Sequence, residues 1–254
     1  MTAIATETER LAAMIRDARS VVALTGAGIS VPSGIPDFRT PRTGLWANVD
    51  PMEVAHIDAF RRDPERFWRF YGDRFQTLEH KQPNDAHRAL ARLEHAGLLD
   101  AVITQNIDRL HDRAGSRELV EVHGTIGHSS CLWCGSRYPL AEVRDRCRRD
   151  DAGVPRCDCG EPLKPDVVLF GELLPAAAIT RAQQLAADAD LLLCIGSSLE
   201  VHPVAALPEL TLAAGGRLAI VTLGRTPYDS RAAVRCTGDV VAELSALKAA
   251  LGLS

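Results

Sequence analysis

Two cysteine pairs, Cys131 with Cys134 and Cys157 with Cys159, stand inside a chain whose other landmarks are glycine-rich turns. A CxxC pair and a CxC pair can each chelate one ion, and together they offer the four soft thiolates of a closed tetrahedral Zn²⁺ site. Such a site has no position for water, so the expected zinc is structural, one per chain. It constrains the fold strongly: about 26 residues must return on themselves to bring the pairs together, while the chain on either side remains free to build a larger body. The other cysteines, Cys147, Cys194 and Cys236, stand alone. Cys194 lies in the apolar run LLLCI and reads as a packed thiol rather than a nucleophile.

At 254 residues the chain can bury one large core with a small insertion. A net charge of −4 creates no field that would gather nucleic acid, which argues against a DNA-binding role for the cysteine module. The amino-terminal stretch carries acids and no signal-type apolar core, and no run approaches the ~18 apolar residues needed to span a bilayer. No membrane association and a cytoplasmic location are therefore expected. Unpaired cysteines at metal spacing fit a reducing compartment.

Leu11, Met14, Ile15 and Ala18 recur at helical spacing, so the first eighteen residues predict an amphipathic helix. Apolar runs at 21–24, 101–104, 167–170, 191–195 and 218–221 predict strands covered on both faces. Helical patterns at 86–95 and 176–189 separate several of them, and the alternation predicts an α/β fold with a doubly wound parallel sheet. Residues 130–165 break the alternation. They predict a small inserted module whose core is too small to fold without metal.

Polar and glycine residues collect where such strands end. Gly26-Ala27-Gly28 follows the first strand, where glycines let the backbone approach a pyrophosphate, although a plain tight turn has the same signature. The next glycine, Gly34, comes too late for a dehydrogenase fingerprint, and no strand follows to carry a ribose-binding acid; hydride transfer is disfavoured. Gln105, Asn106 and Asp108 follow the 101–104 strand, at the carboxyl edge where ligands of parallel sheets bind. Helix capping would account for Asp108 but not for all three. His123 ends the run 120–122 and reads either as a base or as a satisfied histidine. Gly196-Ser197-Ser198 offers amides and hydroxyls to phosphate or ribose, or simply turns the chain.

Together these segments closely resemble the sirtuin family of NAD⁺-dependent protein deacylases, in its bacterial or archaeal form. The pieces stand in family order: GAGIS at 26–30, GIPDFR at 34–39, PNDAH at 83–87, TQNID at 104–108, HG at 123–124, the cysteine pairs, KPDVVLFGE at 164–172, GSSLEV at 196–201 and VTLG at 221–224. The resemblance implies a Rossmann-like NAD-binding domain at 1–129 and 166–254 around a zinc module at 130–165, with 40–85 supplying a flexible cofactor loop and the helical part of the small domain. It implies that Gly26, Ala27, Gly28, Val31, Asp37, Phe38 and Arg39 line the dinucleotide site. Gln105, Gly196, Ser197 and Ser198 would lie near ribose and phosphates, Ile107 and Asp108 at the nicotinamide carboxamide, and Thr222, Leu223, Asp239 and Val240 at adenosine. An acylated lysine of a protein partner would pair through 167–172 and 198–201, with Val167, Phe170, Gly171, Glu172 and Val201 as contacts. Two departures stand out: Thr222 where the family often has Asn, and the shortened second cysteine spacer.

The chemistry so implied starts with the substrate amide oxygen attacking the ribose carbon as nicotinamide leaves. His123 then acts as general base toward a ribose hydroxyl, Asn106 positions ribose or water, and the products are free lysine and O-acyl-ADP-ribose. Two rivals remain at this point: an ADP-ribosyltransferase on the same scaffold, and a non-catalytic NAD⁺ or acyl-peptide sensor. Tyr71 and Arg74 stand where sirtuins that remove succinyl and malonyl groups carry a tyrosine and an arginine three residues apart, on one helical face. Removal of acidic acyl groups beside acetyl is the resulting expectation.

Overall fold

The computed structural model describes residues 6–37 and 50–253. Its first helix, α1 (Glu7–Asp17), begins where Thr6 and Glu9 cap each other: the Glu9 amide donates to the Thr6 hydroxyl and the Thr6 amide to the Glu9 carboxylate. This reciprocal pair satisfies two donors that a helix start otherwise leaves unpaired. Leu11 and Ile15, one turn apart, are then buried against the sheet.

Nine strands follow among the described residues: β1 (Val21–Thr25), β2 (Ala101–Thr104), β3 (Leu119–Glu121), β4 (Gly124–Cys131), β5 (Arg137–Pro139), β6 (Leu163–Val167), β7 (Leu191–Ile195), β8 (Arg217–Val221) and β9 (Val234–Cys236). Six form one parallel sheet in the order β3-β2-β1-β7-β8-β9. The nine further helices are α2 (Pro51–Val54), α3 (Ile57–Arg62), α4 (Pro64–His80), α5 (Asp85–His95), α6 (Leu110–Ala114), α7 (Leu140–Arg149), α8 (Ala176–Asp188), α9 (Leu207–Ala213) and α10 (Val240–Ala250). Alternate residues of β1 serve opposite layers. Val21 and Ala23 pack with α1, α5 and α10, and Val22 and Leu24 pack with α8 and α9. Every residue of β1 and β7 is buried, as the near-continuous apolar runs require. Burial at roughly 1.5–3 kcal/mol per large side chain makes these two strands the mechanical centre of the sheet.

The remaining strands form a small antiparallel sheet, β5-β4-β6. Here the expected strand at 167–170 is displaced. The strand is Leu163–Val167, and beyond it the Val168 amide bonds the His123 carbonyl and the Phe170 amide bonds that of Ala55. An apolar run marks burial, which loop backbone anchored by such bonds satisfies as well as a ladder does. The small sheet shares its core with α3 and α4: Phe60, Phe67, Trp68, Tyr71 and Phe75 pack with Ile126, Leu163, Val167 and Leu169. The Trp68 indole donates to the Leu163 carbonyl at 2.9 Å. No helix of the described residues is long and apolar enough to cross a membrane.

Candidate active site

The strand order turns back between β1 and β7, so the loops leaving these neighbours diverge and open a crevice at their carboxyl ends, where ligands of such sheets bind. Glycines allow the loops to cross almost in contact. A β-carbon on Gly26 would lie 2.8 Å from Cβ of Ser197, and one on Gly28 would lie 2.8 Å from Cα of Gly196. On Gly196, held at φ 61°, it would lie 2.4 Å from the Ile29 amide nitrogen. The crossing is also hydrogen-bonded, Gly28 N–H to the Gly196 carbonyl at 2.8 Å. The amides of Ile29 and Ser30 bond Gly26 and Ala27. These glycines therefore allow the two loop backbones to approach each other closely.

Beneath the crossing lies a buried polar network. The Asn106 side-chain amide donates to the Gly26 carbonyl and the Ser30 hydroxyl, both at 3.1 Å, and Ser30 donates to Asp108 Oδ2 at 2.6 Å. Asp108 Oδ1 accepts the Leu110 amide at 2.9 Å. Burial raises the Asp108 carboxyl, and the bonds from Ser30 and Leu110 oppose that by stabilising the carboxylate. His87 accepts the Asn84 amide at Nδ1, 3.3 Å away, so its neutral ring carries hydrogen on Nε2, 3.4 Å from the Ser30 hydroxyl. His111 stacks edge-on against His87 at 4.8 Å and reaches the Thr25 hydroxyl, which in turn bonds Thr104. Burial holds both histidines neutral, His87 at about 4 and His111 well below its usual value.

His123 stands at the lip of this network, half-buried where β3 has ended. Its Nδ1 lies 3.0 Å from the Gln105 carbonyl oxygen. A carbonyl can only accept, so Nδ1 carries the proton and Nε2 keeps its lone pair. Burial pulls His123 down, and the Gln105 carbonyl pushes it partly back. Gln105 also donates to the Ser197 hydroxyl at 2.9 Å, tying the β2 loop to the β7 loop. Nearby Glu121 is raised to about 7, chiefly by burial.

The four cysteine sulfurs lie within 4.8 Å of one another, Cys131 and Cys159 at 3.6 Å and Cys134 and Cys157 at 3.4 Å. Four sulfurs at ~2.3 Å from a tetrahedral Zn²⁺ would stand roughly 3.8 Å apart, so the set fits zinc. The short CxC spacer is accommodated by a turn in which the Gly160 amide bonds the Cys157 carbonyl. Cys157 is brought down to about 6, first by the Cys159 amide and then by the Tyr138 hydroxyl, which favours the thiolate that a metal needs.

The other expected residues divide. Ala27 is half-buried at the crossing, Ile107 is half-buried against the small-sheet core and Val31 is exposed, while Phe38 and Arg39 lie outside the described residues. Ser198 and Leu223 are exposed at the ends of β7 and β8, and the Thr222 amide bonds the Cys236 carbonyl. Asp239 caps α10 through the amides of Val241 and Ala242, and Val240 packs into the core. Val167 is buried, Val201 and Glu172 are half-buried, and Phe170 and Gly171 are exposed in one segment. Tyr71 lies in the aromatic cluster, stacked on Phe75 at 5.3 Å; burial pushes its phenol well up, partly countered by the Arg74 charge. Arg74 is exposed, its guanidinium over the Phe70 ring at 3.8 Å and bonded to the Phe70 carbonyl. Ser30, Asn84, His87 and His111 had no assigned place in the site. For three of them a signal was present in the quoted motifs, since Ser30 closes GAGIS and Asn84 and His87 belong to PNDAH; His111 lies in none of the motifs.

The family described as Sir2 matches residues 26–203. A protein of Sulfolobus acidocaldarius called NAD-dependent protein deacetylase is 47% identical over 226 residues, covering 89% of this chain and 88% of that one. A protein of the same description from Thermotoga maritima is 44% identical over 229 residues, covering 90% and 92%. A solved structure of Sir2 with a deacetylated p53 peptide and 3′-O-acetyl ADP ribose superposes with a TM-score of 0.92 at 41% identity, covering 98% of this chain and 100% of that one.

Proposed function

The chain belongs to the Sir2 family, and from that premise we propose how its own residues perform the reaction. The protein is an NAD-dependent protein deacetylase with NAD⁺ as co-substrate and protein lysines as targets. NAD⁺, when bound, supplies an activated sugar carbon from which nicotinamide departs as the acyl oxygen attacks. His123 is the general base, and the observation that carries this is its fixed tautomer: with Nδ1–H given to the Gln105 carbonyl at 3.0 Å, Nε2 is left to take a proton from a ribose hydroxyl. Ser30, itself bonded by Asn106, and the Leu110 amide hold the Asp108 carboxylate, which with Ile107 orients the nicotinamide carboxamide, while Asn106 positions ribose or water. Gly26, Ala27, Gly28, Val31, Asp37, Phe38, Arg39, Gln105, Gly196, Ser197 and Ser198 serve the rest of the dinucleotide, and Thr222, Leu223, Asp239 and Val240 its adenosine end. The cysteine set holds a structural Zn²⁺, and 167–172 with Val201 docks the acyl-peptide. The large unit spans 1–129 and 166–254 and the zinc module 130–165, with 40–85 supplying the cofactor loop and the helical part of the small domain, and the protein works in the cytoplasm without nucleic acid.

His123→Ala is expected to bind NAD⁺ with unchanged affinity and to lose deacetylation of an acetyl-lysine peptide by at least ~10². Mass spectrometry of the peptide reads the outcome. Normal acyl loss removes His123 from the mechanism, and a gain of ADP-ribosyl mass in the wild type identifies a transferase instead.

For acidic acyl groups, Tyr71 and Arg74 form the clamp: the guanidinium leaves Phe70 and pairs with the acyl carboxylate while the phenol adds a hydrogen bond. Charge-assisted bonds contribute roughly 1.5–3 kcal/mol each, so Arg74→Met should lower kcat/KM for a succinyl peptide by at least about tenfold and spare its acetyl counterpart. Equal loss on both peptides, or a wild type inert to succinyl-lysine, rules the clamp out.

A further inference from the structure

Lys164 is a cation in a place where cations are rarely found. It sits on β6 opposite Ser130, one residue from the partner of Cys131, and is 7% exposed. An ammonium has three N–H groups, and this one meets three acceptors: the Val167 carbonyl at 2.9 Å, the Pro165 carbonyl at 3.1 Å and Glu172 Oε2 at 2.9 Å. The same Glu172 oxygen accepts the Leu169 amide at 2.9 Å, and the Glu172 amide returns to the Leu169 carbonyl. Residues 165–172 are thereby wrapped around one buried charge.

What this wrapped segment touches gives the charge its meaning. The Val168 amide donates to the carbonyl of His123 at 2.8 Å, so the backbone of the base is bonded to the segment. On the far side, Phe170 exchanges both backbone bonds with Ala55 and Ile57. The zinc-bearing sheet, the segment and His123 therefore form one chain of contacts, with Lys164 at the joint. A buried pair of this kind adds little net stability against an apolar alternative, but it fixes one arrangement, because losing either partner strands the other without water.

We infer that Lys164 is a positioning residue that sets the acyl-peptide docking edge and the backbone of His123 in register from the zinc-held sheet. This rests on the reading that 167–172 receives the peptide. Its consequence is selective: the peptide half of the reaction depends on Lys164, whereas the dinucleotide crevice, built by the β1 and β7 loops, does not.

The test compares wild type with Lys164→Met, a side chain of similar length that cannot donate, using an acetyl-lysine peptide, NAD⁺ titration and zinc content. With charge-assisted bonds lost, peptide KM should rise at least about tenfold, while the NAD⁺ dissociation constant stays within about twofold and one zinc is retained. Unchanged peptide KM overturns the inference, as does an equal loss of NAD⁺ affinity, which would mark general damage. If Lys164→Met fails to fold, Glu172→Gln leaves both carbonyl acceptors in place and must shift peptide KM in the same direction by a smaller factor; no shift overturns the inference. A photoreactive residue beside the acetyl-lysine separates this inference from its premise. Cross-linking to 167–172 with unchanged KM in the variant sinks the role of Lys164 alone, and cross-linking elsewhere sinks the docking edge and with it the inference.

Discussion

In the proposed mechanism the two nitrogens of the His123 ring have different tasks, and pH tests which form is used. Burial lowers it from 6.5, so the neutral base persists into more acidic solution than a free imidazole would. The acidic limb of kcat/KM should accordingly fall below pH 6.5 in the wild type, read as nicotinamide release across pH. Glu121, near 7, can add a second limb, and Glu121→Gln identifies it. His87 gives a separate expectation about stability. Its folded value, about 4, is below its unfolded one, near 6.5, so the unfolded chain binds the extra proton between them. The stabilisation is complete above about pH 6.5 and is lost as pH falls toward 4, on the order of 3 kcal/mol. Melting temperatures of His87→Gln should depend less steeply on pH in that window; identical slopes would mean that another group governs it. His123 and Asn106 stand out as candidates in the sequence because polar residues at strand ends have few structural reasons to be there. Ser30 and His87 lie in the quoted motifs, but their meeting was not legible, since it joins segments 57 residues apart (87 minus 30).

Among the elements, the interleaved apolar strands β1, β2, β7 and β8 were readable because burial on both faces leaves no room for polar residues. The small sheet was not. β4 reads GTIGHSSC and β6 reads LKPDV, polar sequences whose inner face is completed by cysteines and by aromatics from α4. β9, only three residues long, carries too little pattern to detect. The glycine crossing makes the sharpest element-scale prediction. Gly196→Ala places a methyl group 2.4 Å from the Ile29 nitrogen at a left-handed φ, so it should weaken NAD⁺ binding by at least about tenfold and cost roughly 1–3 kcal/mol in stability. Calorimetric titration checks the first and denaturant melts the second. Wild-type values for both would show that the two loops are not in contact.

Across the whole molecule, the α4 aromatics, the small sheet and the cysteines share one core, whereas the parallel sheet has layers of its own. Cys131→Ser should release zinc and melt the shared core first, since binding energy at such a site is also folding energy. The expected signature is early loss of tryptophan fluorescence from Trp68 with the parallel sheet's circular dichroism retained. One equivalent of zinc and an unchanged melting curve would speak against a structural metal.

The crossing of Gly28 under Gly196 joins positions 168 residues apart (196 minus 28). Contacts of such long sequence separation form late, because a large loop must close before they are rewarded. During synthesis, then, the amino-terminal strands emerge with one wall of their crevice missing. In the proposed reading of this crevice, most of the chain must leave the ribosome before the nucleotide site is complete. NAD⁺ accordingly cannot serve as a scaffold for the early stages of folding: it can only reward a chain that has already brought its two distant halves together.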